Sequence, residues 1–590
     1  ILSGKPEINR YQGAGLEIIH PDIEVLTEDM DRLVELGRII PVYHTTEGLY
    51  LKSLRSIMKT VLDQYGPLVE EILPKEILDR NGLLPRKQAL QEAHFPSKGT
   101  AIDLLQNFRA PAQLRLIFEE MFLIQLGLAY RKKYEIEAEK GVAFKTRGDT
   151  LRQFVKLLKF DLTGAQKKVL AEIMDNLERD RPMNRLLQGD VGSGKTIVAL
   201  ITLLTAVDNG FQGALMAPTE ILAEQHFFNI KPYCDALSIT LQLVTSASTA
   251  RERKVIQQDI REGKTQIVVG THALIQKDIQ FQKLGAVIVD EQHRFGVLQR
   301  EALGKKGWHP HVLVMTATPI PRSLALTLYG DMDISILDEM PPGRQPITTK
   351  LYTEKTREQA YRFLRREIFK GRQAYVVCPL IEESETRDLK TAIEVQEYLQ
   401  KELFPDLVVR LIHGKIKKEE RQQIMAAFQS GKIHILVATT VIEVGIDIPN
   451  STLMVVEHAE RFGLSQLHQL RGRVGRGIHP SYCFLIRYYP MTPEAKDRLH
   501  VMQTSSDGFV IAEEDLRIRG PGDFMGTRQS GLPELKVANL VRDVKIIEQA
   551  RKEAFALIEQ DPKIEQPQHQ KLKEALDRYL DDRLDFIKVL

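Results

Sequence analysis

One eight-residue segment restricts what this chain can fold into more than any other: Gly189-Asp190-Val191-Gly192-Ser193-Gly194-Lys195-Thr196. It follows the apolar pair Leu186-Leu187 and leads into the apolar stretch Ile197 to Val207, so it reads as a loop between a buried strand and a buried helix. Glycines let backbone N–H groups turn toward phosphates, and the helix after them offers its N-terminus to negative charge. Gly189, Gly192, Ser193, Gly194, Lys195 and Thr196 therefore form a candidate nucleotide cradle. Lys195 is expected on the β- and γ-phosphates of ATP, and the Thr196 hydroxyl on Mg2+.

A loop of this kind belongs to an α/β fold with a parallel sheet. From about Asp161 the chain alternates short apolar runs with helical patterns. Ala214-Leu215-Met216, Ile267-Val268-Val269, Val287-Ile288-Val289 and Val312-Leu313-Val314 read as buried strands. Met340 to Pro346, rich in proline, reads as a hinge. A second series follows it, with Tyr375-Val376-Val377, Leu411-Ile412, Ile435-Leu436-Val437, Met454-Val455-Val456 and Phe484-Leu485-Ile486. Upstream, residues 1–25 alternate around a hairpin tip at Arg10-Tyr11-Gln12-Gly13. Residues 26–150 are helical in pattern, with breakers at Pro67, Pro74, Pro85 and Pro96 and an amphipathic stretch, Gln113 to Lys140, suited to a helical strut. Beyond residue 500 the pattern is helical except for a Gly- and Arg-rich loop at 517–531.

Three further groups complete the nucleotide site. Asp290-Glu291 ends the run Ala286 to Val289, which aims both acids into one cleft; Asp290 is expected to hold magnesium and Glu291 to polarise the attacking water. Phe160 and Gln166, just upstream of the loop, are assigned to ATP binding. The Gln166 amide can both donate to and accept from the adenine edge. The alternative is a helix capped by Thr163 and followed by an incidental glutamine. Arg473 and Arg476 lie far from Lys195 in sequence, within Gln469 to Arg476. Reaching the γ-phosphate from a separate domain, such arginines make hydrolysis depend on domain closure, typically worth about 10³ to 10⁵ in rate. A surface cluster or a nucleic-acid patch is the other reading.

Composition excludes several classes. Three cysteines, Cys234, Cys378 and Cys483, are too far apart for a metal-ligand or disulfide pattern and read as buried thiols. No segment approaches the roughly 20 apolar residues of a membrane span. The chain begins at Ile1 with neither Met nor a signal-like region. The expectation is a cytoplasmic protein, with no membrane partner, whose true N-terminus lies upstream. A net charge of +2 neither requires nor excludes nucleic acid, so a grip on phosphates must come from locally placed basic groups.

The phosphate loop, Asp290-Glu291, Ala217-Pro218-Thr219, Gly270-Thr271-His272, Thr316-Ala317-Thr318 and Ala438 to Asp447 together resemble the superfamily 2 helicases and translocases. That resemblance implies two RecA-like motor domains. It also implies that Thr219, Thr271 and Thr440 face a nucleic-acid backbone, with Thr316 and Thr318 in the coupling motif; the last two could as well be strand-end caps. Within the superfamily, Met315 to Arg322 and Asp515 to Gly531 resemble the RecG family of bacterial branched-DNA translocases. By that resemblance Arg517, Arg519 and Gln529 couple motor closure to movement along duplex DNA.

The resemblance implies five segments: a partial OB-fold wedge at 1–25, a helical linker at 26–150, RecA-like domains at 151–345 and 346–499, and a helical translocation segment at 500–590. The expected partner is branched double-stranded DNA, such as stalled forks and four-way junctions. A single-strand DNA-binding protein is a further expected partner, and the chain is expected to be a monomer associated with the nucleoid. Arg10 and Tyr11 are candidate wedge contacts. A transcription-repair coupling translocase and an RNA helicase stay open as alternatives.

Overall fold

Apolar runs with the spacing just described become strands of two parallel sheets. The computed structural model describes residues 2–3, 6–9, 15–18, 22–23, 39–46, 48–133, 140–245, 250–276, 278–290, 309–316, 319–321, 324–326, 330, 332–342, 345–379, 385–414, 416–439, 448–524 and 535–581. Arg10, Tyr11, Glu291, Thr318, Thr440 and Gln529 lie outside them.

Among the described residues four short strands come first: β1 (Leu2–Ser3), β2 (Pro6–Asn9), β3 (Gly15–Ile18) and β4 (Asp22–Ile23). β2 and β3 form an antiparallel hairpin that pairs Ile8 with Leu16, and β1 pairs with β4.

The first large sheet comprises β5 (Asn184–Gly189), β6 (Gln212–Met216), β7 (Leu241–Val244), β8 (Ile267–Gly270), β9 (Leu284–Asp290), β10 (His311–Thr316) and β11 (Asp333–Leu337). Among the described residues its order is β11-β5-β10-β9-β6-β8-β7, with every pair parallel. Period-two alternation buries both faces: Ala286 and Ile288 enter one core, Val287 and Val289 the other. The second sheet comprises β12 (Ile347–Thr353), β13 (Gln373–Val377), β14 (Val409–Ile412), β15 (Ile435–Ala438), β16 (Ser451–Val456) and β17 (Ser481–Arg487), ordered β12-β17-β16-β13-β15-β14 and again parallel. Tyr375 and Val377 face one of its cores, Ala374 and Val376 the other.

The chain groups into two compact units. One comprises Ile1–Met121, Lys536–Ala538 and Ile564–Ala575; the other comprises Phe122–Leu535, Asn539–Lys563 and Leu576–Leu590 and contains both large sheets. In the first unit the prolines punctuate helices. Pro74 and Pro85 sit at the caps of Lys75–Asn81 and Arg86–His94, and Pro67 lies in the short 3-10 turn Gly66–Leu68. The expected strut is instead the helix Pro111–Arg131, buried along most of its length through Ile117, Phe118, Met121, Phe122 and Ile124. It is a core helix because too few of its faces carry charge to meet water.

All three thiols are buried, and burial pushes Cys234 and Cys483 up to about 12. They are therefore protonated and unreactive at neutral pH.

Charge also tethers the edge strand β11. Asp333 accepts from Lys132 at 2.6 Å and lies 3.6 Å from Arg185. Burial works to raise this carboxyl but is outweighed by Lys132 and Arg185, which hold it below the usual carboxylate range. Its contribution is therefore present above the unfolded value of about 4 and disappears as pH falls through the lower folded value. With its side chain 38% exposed, the pair is partly screened. Asp333→Asn should cost under about 1 kcal/mol at pH 7. Thermal melts of both proteins from neutral to acid pH should show that difference closing as Asp333 protonates.

Candidate nucleotide site and its link to the second sheet

Strand order brings the site together. β10 lies between β5 and β9, with Met315 beside both Leu187 and Asp290, so the carboxyl ends of β5 and β9 share one edge about 10 Å apart. The phosphate loop leaves β5, and Asp290 ends β9.

The loop is built around its glycines. Gly192 and Gly194 have φ of 83° and 89°, where an L side chain is strained. A Cβ on Gly194 would come within 2.2 Å of the Gln166 amide nitrogen, and one on Gly189 within 2.6 Å of Ser193 Oγ. Lys195 starts the helix Lys195–Asp208 and is buried; its ammonium donates to the Gly189 and Asp190 carbonyls at 2.6 and 2.8 Å. Ser193 Oγ is buried with no hydrogen-bond partner among the described residues, as suits a group that bonds a ligand oxygen. Thr196 follows in the first helical turn and is only partly buried.

Gln166 is part of the helix cap rather than incidental to it. Thr163 and Gln166 form a reciprocal capping box on the helix Gly164–Leu177, and the Gln166 amide nitrogen also donates to the Ser193 carbonyl at 3.0 Å. Gln166 thus ties the phosphate loop to this helix. One amide hydrogen and one oxygen lone pair remain for a base edge. Phe160 is 47% exposed nearby in sequence.

Asp290 is buried, and its carboxylate lies 2.6 Å from His226 Nε2 on the helix Glu220–Ala236. A carboxylate and a threonine hydroxyl are hard oxygen donors, the class that holds magnesium alongside substrate phosphates, so Asp290 and Thr196 fit that ion. Thr219 caps the His226 helix by accepting from Leu222 N–H at 3.4 Å. Thr271 and Thr316 are buried at the ends of β8 and β10. The Thr271 hydroxyl, and that of Thr439 after β15, have no hydrogen-bond partner among the described residues.

The second sheet contributes the helix Leu464–Arg471, which meets the phosphate loop directly. His468 Nε2 lies 2.6 Å from Asp190 Oδ1, and a Cβ on Gly472 would come within 2.9 Å of Val191. Burial works to raise the Asp190 carboxyl; the His468 hydrogen bond, the Val191 N–H and Lys195 outweigh it and hold it below the usual carboxylate value. Arg473 and Arg476 follow this helix. Burial lifts the Tyr375 hydroxyl to about 12 against the opposing charge of these two guanidiniums, which places them near that hydroxyl.

Downstream, the helix Gly508–Phe524 replaces most of the first part of the expected loop. Gly520, with φ 75° and ψ 159°, breaks it, and Pro521 restarts the turn. Arg517 and Arg519 are therefore helical residues. Arg517 pairs with Glu514 at 2.7 Å, and Arg519 with buried Asp515 at 2.9 Å. Asp515 also accepts from Ser465 of the Leu464–Arg471 helix at 2.8 Å.

Sequence reasoning named the loop, Asp290 and the arginines but not Asp190, His226, His468 or Asp515 as site residues. Asp190 stood in plain view inside the loop, and His468 precedes Arg471 by one helical turn, a spacing that shares a face.

Two parallel α/β domains, with a phosphate loop on one and an arginine-bearing helix from the other set against it, define a two-domain helicase motor. The DEAD/DEAH box helicase family matches residues 163–327, the helicase conserved C-terminal domain 357–477, and the C-terminal part of domain 3 of the ATP-dependent DNA helicase RecG 505–587. ATP-dependent DNA helicase RecG of Synechocystis is 46% identical over 95% of this chain, and that of Bacillus subtilis 44% over 91%. The chain spans 66% of the Synechocystis protein, 65% of the Thermotoga maritima one and 78% of the Bacillus one. A solved structure of RecG bound to a three-way DNA junction superposes with a TM-score of 0.66 at 41% identity, covering 93% of this chain and 70% of that one. The chain belongs to the RecG family of ATP-dependent DNA helicases.

Gly194→Ala tests the cradle. The new methyl group must displace the Gln166 amide in a left-handed position, so affinity for a fluorescent ATP analogue should fall at least about tenfold, or 1.4 kcal/mol. The melting temperature should stay close to the parent's.

Proposed function

We propose that this chain is an ATP-driven motor that moves on duplex DNA and acts at branched structures, reversing forks and migrating four-way junctions. The observation that carries this reading is the seating of the Leu464–Arg471 helix on the phosphate loop at one end and on the Gly508–Phe524 helix at the other. A motor needs such a connection between hydrolysis and movement. The relative solved on a three-way DNA junction supports branched DNA as the substrate.

In this reading ATP lies on the loop, its phosphates drawing the Lys195 ammonium from the Gly189 and Asp190 carbonyls. Phe160 and Gln166 receive the base. Thr196 and Asp290 would hold a magnesium ion, which would supply charge neutralisation at the phosphate oxygens. Glu291 orients the attacking water, and Arg473 and Arg476 complete the site when the two sheets close. Thr219, Thr271 and Thr440 face the DNA backbone without reading sequence, and Thr316 and Thr318 belong to the motif that couples hydrolysis to that grip. Arg517, Arg519 and Gln529 couple closure to translocation.

The five-segment organisation belongs to this proposal, with residues 1–25 as part of a strand-separating wedge and 26–150 as its helical support. So do a single-strand DNA-binding protein as partner, a monomeric state and a place in the cytoplasm at the nucleoid. Among the described residues no helix is long and apolar enough to cross a membrane.

ATP turnover should be measured with linear duplex, single strand, RNA and a synthetic fork, with fork unwinding followed in parallel. Strongest stimulation and unwinding on the fork are expected; preferential stimulation by RNA would overturn the reading. Lys195→Ala should reduce turnover by at least about a hundredfold, since it removes charge stabilisation at the transferred phosphoryl group. Arg519→Ala should keep most DNA-stimulated turnover and lose branch migration; proportional loss of both would remove Arg519 from coupling.

A further inference from the structure

The helix Glu220–Ala236 buries one stripe of its surface, formed by Ala223, His226, Ile230 and Cys234 at helical spacing. Ala223, Ile230 and Cys234 belong to the apolar core on one face of the first sheet. His226 is the polar member of the stripe, and only 7% of it is exposed. Its Nε2 lies 2.6 Å from Asp290 Oδ2. An ionised carboxylate only accepts, so the ring proton sits on Nε2 and is directed at Asp290. Nδ1, on the other side of the ring, is buried with no hydrogen-bond partner among the described residues. A buried imidazole with one nitrogen unpaired works against folding, and a leucine would continue the stripe without that penalty. Packing alone therefore does not account for His226.

Strand order explains why the ring and the carboxylate meet. β6 lies beside β9, with Met216 opposite Val289, so the helix that follows β6 starts at the edge where Asp290 ends β9. The phosphate loop leaves β5, which lies on the other side of β9 with β10 between them. Asp290 is thus flanked by the strand of the loop on one side and by the strand of the His226 helix on the other. Its carboxylate is buried, and turning it would break the contact with the ring in the interior, where an unpaired polar group is costly.

We infer that His226 is a positioning residue, whose Nε2–H holds the Asp290 carboxylate in the orientation that serves the magnesium site. This rests on the assignment of Asp290 and Thr196 to that ion. Partners hydrogen-bonded to metal ligands orient them, and removing one typically weakens metal binding by about 10- to 100-fold. His226 acts through Asp290 alone, with neither ion nor nucleotide as its direct partner.

The test is Mn2+ binding to the intact chain in the presence of a non-hydrolysable ATP analogue, read from the electron paramagnetic resonance signal of free Mn2+, so that no turnover is involved. His226→Leu keeps the buried stripe apolar, and its melting temperature should stay close to the parent's. It should weaken Mn2+ binding at least about tenfold. Its affinity for the analogue in EDTA should stay within about twofold of the parent's, which a collapsed site would not allow. His226→Ala, which removes the ring without adding bulk, carries the same expectation. His226→Gln, whose amide can donate toward Asp290, should recover part of the lost affinity. In an Asp290→Asn background His226→Leu should add less than about twofold, because the two residues act as one unit. Equal loss in His226→Gln and His226→Leu, or an undiminished additional loss in the Asp290→Asn background, would overturn the role. A parent that binds neither the analogue nor Mn2+ with it would remove the nucleotide site itself. A parent that binds both, with His226→Leu and His226→Ala binding Mn2+ equally well, would remove only His226.

Discussion

The hydrogen bond between Asp190 and His468 spans 278 residues of sequence and joins the loop of one sheet to a helix of the other. A hydrogen bond to a charged group contributes about 1.5 to 3 kcal/mol, and a buried carboxylate stripped of its partner costs more than the bond was worth. The position of the second sheet's helix is thereby tied to a loop whose shape is set by Gly192 and Gly194. The glycines fix the loop, the loop fixes Asp190, and Asp190 fixes the helix that precedes Arg473 and Arg476. Ser465, at the other end of that helix, fixes Asp515 and through it Arg519. The phosphate loop and the helix Gly508–Phe524 are therefore both held by one two-turn element.

Net charge says little about such a machine. With +2 overall, the chain relies on where its basic groups stand. Arg471 is almost wholly buried and spends its donors inside the protein, whereas Arg517 is exposed on the helix Gly508–Phe524. Identical side chains a few tens of residues apart thus serve the interior in one place and a solvent-exposed helix face in the other.

The central strands were legible because both of their faces are buried, which leaves unbroken apolar runs such as Val287-Ile288-Val289. Of the edge strands only β14 showed, as Leu411-Ile412. β12 (Ile347–Thr353) alternates Ile347, Leu351 and Tyr352 with exposed Thr348 and Lys350, and β7 and β11 are short and half-exposed. The helix Gly508–Phe524 was expected as far as Leu516; its last part, from Arg517, hid behind Gly520 and Pro521, which local rules assign to a loop. The nucleotide cradle was readable because its chemistry is local: glycines, a lysine and a threonine within eight residues. Asp190, His226, His468 and Asp515 act through partners tens to hundreds of residues away, and no spacing rule within a single chain of letters announces such pairs. Gln166 was read as either a base contact or an incidental residue after a cap. The structure makes it a cap that also grips the phosphate loop.

The central claim is that nucleotide at the loop changes the helical pair beyond residue 500 through the Leu464–Arg471 helix. Hydrogen–deuterium exchange on the intact chain, with and without a non-hydrolysable ATP analogue and magnesium, tests it most directly. The account predicts that amide exchange changes in the phosphate loop and also across residues 502–518, by about fivefold or more. A change confined to the loop and its helix, with 502–518 exchanging as before, would contradict it.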